Sequence, residues 1–315
     1  MYKKYLLIIF LITSFFASVA YAEESINYLL TAASKGDLET VSAILESGGN
    51  PNTKDEDGVT TLMYATRKDM DKIVQLLIKK GASVNLTENN GWTALMFAAK
   101  KNYIRSAQLL LDNGADPKIR DNDGWSAYGL AAISGYHETI DLLIKYGIDP
   151  NNANDAGQTV LMYAAKNGDI KTIETLLNHG ANPGIVDKYK CSPLMYAARE
   201  GNLDAVSIFI KQGVKIDYED QFNWTALTWS IKKNHLSVAK ILIENGANVN
   251  RKDSDGTPLV YYAVKNKSKE MIQLLINAHV NLKEKDRYGL TALVYALKAK
   301  NTEIIDLIKN AGGNY

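Results

Sequence analysis

A single cysteine, Cys191, stands in a chain of 315 residues. One thiol closes no internal disulfide and supplies no cysteine cluster for a metal, so packing has to hold the core together. Excess charge is equally scarce: 36 Lys and Arg face 35 Asp and Glu, a formal net of +1. That balance excludes bulk nucleic-acid binding, which needs a basic footprint. Only 6 prolines and 4 histidines occur. His137, His179, His235 and His279 fall at unrelated positions, and no phosphate loop, nucleophile elbow or His-Glu-x-x-His motif is present. The residues therefore predict no catalytic centre, no metal site and no cofactor, and an enzyme is the disfavoured reading. What the chain does have is a globular balance, 46% hydrophobic and 23% charged.

One long apolar run exists, at the start. Lys3 and Lys4 precede "YLLIIFLITSFF", and "ASVAYA" follows. A basic end, an apolar stretch and an Ala-x-Ala site form the pattern of a secretory signal peptide, residues 1–22, cut after Ala22. The rival reading is an anchor, for which the run is short, since spanning takes about 20 apolar residues. No cysteine follows it to carry a lipid. Cleavage leaves 34 basic and 35 acidic side chains in residues 23–315. The expected location is periplasmic or secreted.

The remainder repeats itself. "LMYATRKDMD" from Leu62 returns as "LMFAAKKNYI" from Leu95, "LMYAAKNGDI" from Leu161, "LMYAAREGNL" from Leu194 and "LVYALKAKNT" from Leu293, at steps of 33, 66, 33 and 99 residues. Cutting at 33 gives nine segments: 23–55, 56–88, 89–121, 122–154, 155–187, 188–220, 221–253, 254–286 and 287–315. The first is atypical and the last is short.

Each segment follows one local grammar. A turn such as "NNG" or "NDG" opens it, where Asn and Gly tolerate positive φ. Thr or Ser follows at Thr60, Thr93, Ser126, Thr159, Ser192 and Thr225, a helix N-cap. "LMYAAK" begins a short helix, which Gly or Asn breaks. A second helix, such as "IVQLLIKK", has apolar residues at helical spacing. It closes on Gly48, Gly81, Gly114, Gly147, Gly180, Gly213 or Gly246. Late segments depart from this. Lys267 and Lys300 stand at the first break and His279 at the second, predicting strained left-handed residues near the C-terminus.

This grammar closely resembles the ankyrin repeat, whose 33-residue pattern carries Thr-Pro-Leu-His-x-Ala at its first helix. Ser192-Pro193-Leu194 and Thr93-Ala94-Leu95 match its start, and "NGANVN" at 245–250 matches its end. The resemblance covers residues 23–315. It implies an all-α solenoid of stacked helix-turn-helix repeats with β-hairpin loops, in which neighbours bury a shared core. Met63, Met96, Met162 and Met195 replace the motif histidine, so its hydrogen bonds are expected to be lost. Thr257-Pro258 comes one place early, so that hairpin should differ.

Function, by the same resemblance, is protein binding through a concave face: a scaffold or adaptor outside the cytoplasm, or an exported effector that binds a host protein. Two rows are the candidate binding residues. A basic ladder follows "YAA" at Arg67, Lys100, Lys166, Arg199, Lys232 and Lys265, broken only at Ile133. The family's geometry turns this position to the groove. Hairpin indoles stand at Trp92, Trp125 and Trp224. A third row, Tyr64, Phe97, Tyr163, Tyr196, Trp229, Tyr262 and Tyr295, reads as core between repeats. The partner expected is a protein with an acidic or extended segment, not nucleic acid. The mature chain is expected to be monomeric and free of the membrane. Pairing of Cys191 with another chain stays open.

Overall fold

The structure, a computed structural model, describes residues 28–314. The leader read at 1–22 lies outside the described residues. The chain divides into two compact halves, Met1–Ile148 and Asp149–Tyr315.

In the first half, helix α1 covers 28–35 and α2 Leu38–Glu46. Then come α3 (Thr61–Arg67), α4 (Asp71–Lys79), α5 (Ala94–Lys101), α6 (Ile104–Asp112), α7 (Ala127–Ile133) and α8 (His137–Lys145). The second half holds α9 (Val160–Asn167), α10 (Ile170–Asn178), α11 (Pro193–Glu200), α12 (Leu203–Lys211), α13 (Ala226–Lys232) and α14 (Leu236–Glu244). It ends with α15 (Val260–Lys265), α16 (Lys269–Asn277), α17 (Ala292–Lys298) and α18 (Thr302–Asn310). From α3 onward these make eight helix pairs, one per repeat; nine is the count from the sequence period. Within each half the first helices of successive pairs stack on one another, and so do the second helices.

Both layers follow from side-chain size. Each first helix carries small residues at its centre, such as Ala98 and Ala99 or Ala197 and Ala198, all at 0% exposure. These let neighbouring helices approach closely. Each second helix turns an apolar stripe inward, for example Ile73, Val74 and Leu77 on α4. Fully burying one such side chain stabilises by about 1.5–3 kcal/mol.

The ends are set locally. Thr60, Thr93, Ser126, Thr159, Ser192 and Thr225 all accept a backbone N–H at their helix starts. The methionine expectation needs correcting. The sulfurs of Met63 and Met162 accept from the N–H of Thr60 and Thr159 at 3.4 Å, and that of Met195 from Ser192 at 3.5 Å. The thioether thus fills the space and keeps a weak version of the reciprocal cap. The displaced Pro258 leaves the hairpin bridge in place, against expectation, and acts on the helix instead: α15 starts a residue late, at Val260, has six residues and lacks a side-chain cap. The hairpins contain no strand among the described residues. Single antiparallel bridges join Lys54 to Thr60, Arg120 to Ser126, Ala153 to Thr159 and Lys252 to Pro258.

Adjacent hairpins are joined by one backbone bond per step. Asn89 N–H donates to Asp57 O at 2.9 Å and Asn122 N–H to Asn90 O at 3.0 Å. In the second half Lys188 donates to Ala156, Gln221 to Tyr189 and Ser254 to Phe222, at 3.0, 3.0 and 2.8 Å. The last step is made by an ion pair, Arg287 Nη2 to Asp255 Oδ1 at 2.8 Å.

Lys267, His279 and Lys300 adopt φ of +56°, +59° and +52°. Asp69 and Lys190, at +57° and +61°, take the same region in earlier repeats. An L-residue there costs roughly 1–2 kcal/mol relative to a right-handed one. With three such residues and a final step made by side chains, residues 254–314 should open before 155–212. Hydrogen exchange should show lower protection in the later segment, and Lys300→Gly should stabilise by about 1 kcal/mol. Equal protection in both segments would contradict this.

Candidate functional site

The face where hairpins meet first helices is built around a carboxylate. Asp220, 3% exposed, shows the device in full. Its Oδ1 accepts the N–H groups of Phe222 and Trp224 at 2.8 and 3.0 Å, closing the hairpin. Its Oδ2 accepts the Trp229 indole N–H at 3.0 Å, nine residues on. One side chain therefore fixes the turn and aims a ring on the following helix. Asp187 does the same with Tyr189, Cys191 and the Tyr196 hydroxyl, and Asp253 with Asp255, Thr257 and the Tyr262 hydroxyl. Asp286 binds Tyr288, Leu290 and Tyr295. In the first half Asp55 holds Val59 and the Tyr64 hydroxyl.

This arrangement corrects the reading of the third row as core for five of its seven members and keeps it for Tyr196 and Tyr262. Tyr64, Phe97, Tyr163, Trp229 and Tyr295 are half-buried, while Tyr196 and Tyr262 are buried at 7% and 8%. The polar ends of all but Phe97 reach back to the hairpin, which draws those rings onto the face. Spacing alone shows an aromatic on a helix. The sequence signal for its direction is the side chain nine positions earlier, acidic before every ring of the row except Tyr163, where it is Asn154.

The basic ladder interdigitates with that row. Arg67 lies over Tyr64 and, in the next repeat, Phe97, at 5.9 and 5.1 Å. Arg199 lies over Tyr196 and Trp229 at 5.1 and 5.4 Å. Lys232 is more enclosed: its Nζ stands 3.5 Å from the Trp224 ring centre, with Trp229 and Tyr262 at 5.8 and 5.6 Å. Burial there lowers the Lys232 pKa, and the neighbouring Lys265 and Lys233 charges add to the effect. Lys166 and Lys265 are exposed, and Lys100 is half-buried.

The three hairpin indoles are half-buried. Trp92 contacts Phe97 with ring centres 5.0 Å apart. Trp224 meets Trp229 edge-on at 4.6 Å. Trp125 covers Gly129, where an added Cβ would come within 3.0 Å of the indole. So Trp92 sits near Arg67 in one cleft of the first half, together with Phe97, Glu88 and Asp123. In the second half, Lys166 and Arg199 share a cavity of about 430 Å³ with Tyr163, Tyr196, Trp229 and Cys191. Tyr189 and Phe222, which sequence reasoning did not select, form part of its lining.

Burial pushes the Cys191 thiol up to about 12, helped by the charges of Asp187 and Asp220. Burial and then the bond to Asp187 raise the Tyr196 pKa. Both groups stay neutral, and the Asp187 and Asp220 carboxylates are engaged by the hairpins and by Tyr196 and Trp229. The histidines serve the frame. His137 opens α8, His179 ends α10, and His235 precedes α14 with its Nε2 3.0 Å from Arg199 O.

The family model described as ankyrin repeats (3 copies) matches residues 29–121, 107–187, 161–253 and 252–315. No curated protein matches the chain.

Proposed function

The chain belongs to the ankyrin-repeat family, and from that premise we propose that it is a protein-binding scaffold or adaptor acting outside the cytoplasm. Ankyrin repeats mediate protein–protein interaction, and the family is typically non-enzymatic. The observation that carries the finer reading is the interdigitated row of cations and rings on the hairpin face, Arg67 with Phe97 and Arg199 with Trp229. Cationic and aromatic side chains at a partly solvated face are the usual anchors of an interface. The partner is a protein with an acidic or extended segment, bound by a monomer in the periplasm or beyond it. The signal-peptide pattern read in the sequence at 1–22 supports that location.

The test uses a partner captured with residues 23–315. Trp92→Ala with Trp125→Ala should speed dissociation, since truncating an anchor typically costs about 2 kcal/mol or more. Lys166→Glu with Arg199→Glu should slow association, and added salt should slow it in the wild type. Binding unchanged in both folded pairs, and abolished by changes on α10 or α14, would place the interface elsewhere. Recovery from periplasm or medium separates a resident scaffold from an exported effector. An intact leader in membranes would overturn the location.

A further inference from the structure

We propose that the cavity formed by the hairpins and first helices between residues 158 and 229 takes the carboxylate of an acidic peptide residue that has an aromatic or bulky apolar neighbour. This rests on the protein-binding reading and names the chemistry of one subsite within it.

Charge selects the acid. Asp187 and Asp220, at 4% and 3% exposure, direct both oxygens to the hairpin and to Tyr196 and Trp229. Arg199 is fixed between the rings of Tyr196 and Trp229. Its Nε bonds Glu200 at 3.0 Å, and its two Nη groups have no hydrogen-bond partner among the described residues. A guanidinium held in this way offers a planar fork matched to a carboxylate. Lys166 is exposed at the same cavity. The donors left over for a ligand are therefore cationic, the Arg199 Nη groups and Lys166.

The rim selects what the acid is attached to. Tyr189 and Phe222 are 45% and 47% exposed, at the tips of adjacent hairpins joined by the Gln221–Tyr189 backbone bond. The equivalent tips in the first half are Asp57, Asn90 and Asp123. Turn chemistry favours such short polar residues at these places. Folding gains little from two large rings left in water there, whereas a bound side chain would cover them. The volume, about 430 Å³, falls within the range of roughly 300–1,000 Å³ common to ligand sites. A free anion would use the fork and leave the rings uncovered; a peptide uses both.

The experiment selects peptides from a random displayed library on the intact chain and measures their affinity by fluorescence anisotropy. Recovered peptides should pair Glu or Asp with an aromatic or large aliphatic residue. Arg199→Gln should weaken them about tenfold or more, as should replacing the acid in the peptide by its amide. Tyr189→Ser with Phe222→Ser should weaken them similarly, while Lys240→Gln on α14 should have no effect. Circular dichroism confirms folding, and if R199Q melts early the amide exchange in the peptide carries the charge test. Peptides without an acidic residue, or bound equally in acid and amide forms, overturn the proposal. If such peptides still displace a captured partner, only the subsite chemistry fails. A partner lost solely through changes on α10 or α14 overturns the reading of the face as well.

Discussion

Asp220→Ala should lower the unfolding free energy by about 4 kcal/mol, because three hydrogen bonds to a buried charged acceptor disappear and leave their donors unpaired. The donors are the backbone N–H groups of Phe222 and Trp224 and the Trp229 indole. No other side chain of the hairpin is placed to replace the carboxylate, so the turn loosens and the Trp229 ring loses its aim. Asn154→Ala is the comparison. Asn154 holds its turn through Ala156 and Gln158, and its amide reaches the Tyr163 hydroxyl at 3.2 Å. These bonds are neutral, and their loss should cost about 1–2 kcal/mol. Asp220→Asn should fall between the two, keeping an acceptor for the turn while one end of the amide opposes a hydrogen-bond donor. Urea denaturation with unchanged slope measures all three. A loss below that of Asn154→Ala would mean that the carboxylate does not clamp the hairpin. Peptide affinity should fall in Asp220→Ala with stability, since the same side chain aims a cavity wall.

Alkaline pH should unfold the second half well before it disturbs an ordinary helical protein. Burial first, and then a bond to the hairpin aspartate, raises the pKa of Tyr196, Tyr262 and Tyr295 above the usual phenol value. Cys191 moves the same way, to about 12. A group whose folded pKa exceeds its unfolded one stabilises fully below the unfolded value and loses that contribution as pH rises toward the folded value. Unfolded thiols titrate near about 8.5 and phenols near about 10. Stability should hold to about pH 8 and fall steeply above about pH 10, with a drop in Tm of roughly 5 °C or more by pH 11. Phenolate absorbance should then rise together with the loss of helical dichroism. Tyr262→Phe, weaker at neutral pH, should show a shallower decline. Free titration of every tyrosine near pH 10 with the helices intact would contradict the hairpin clamp.

The repeat was legible in the sequence because local chemistry dictates it. The caps at Thr93 and Ser192, the left-handed glycines and the apolar helix stripes depend on neighbours a few residues away. The same holds for Lys267, His279 and Lys300, whose backbone sign follows from their place in the period. The site was legible in part. Arg199 and Lys166 announce themselves by recurrence, yet their partners do not. Arg199 rests on Trp229, thirty residues later, so the pairing exists only once two repeats are stacked. Asp220 stands where turn chemistry favours an acid, and its second role needs the hairpin to fold over the helix. Tyr189 and Phe222 escaped notice because they break the period, occupying a position that is polar in the first half.

The backbone bond that joins successive hairpins within each half has a consequence for how such a chain can change over generations. Within each half the linked hairpins give through one N–H and receive through one carbonyl at the same place in the repeat, up to the last step, which Arg287 and Asp255 bridge instead. A duplication or deletion of whole repeats within either half preserves that give-and-take, because each survivor meets an equivalent partner. An insertion that shifts the hairpin itself instead breaks the link on both sides at once. Inheritance can thus lengthen or shorten the molecule only in whole repeats, and the proposed binding face is resized in the same increments.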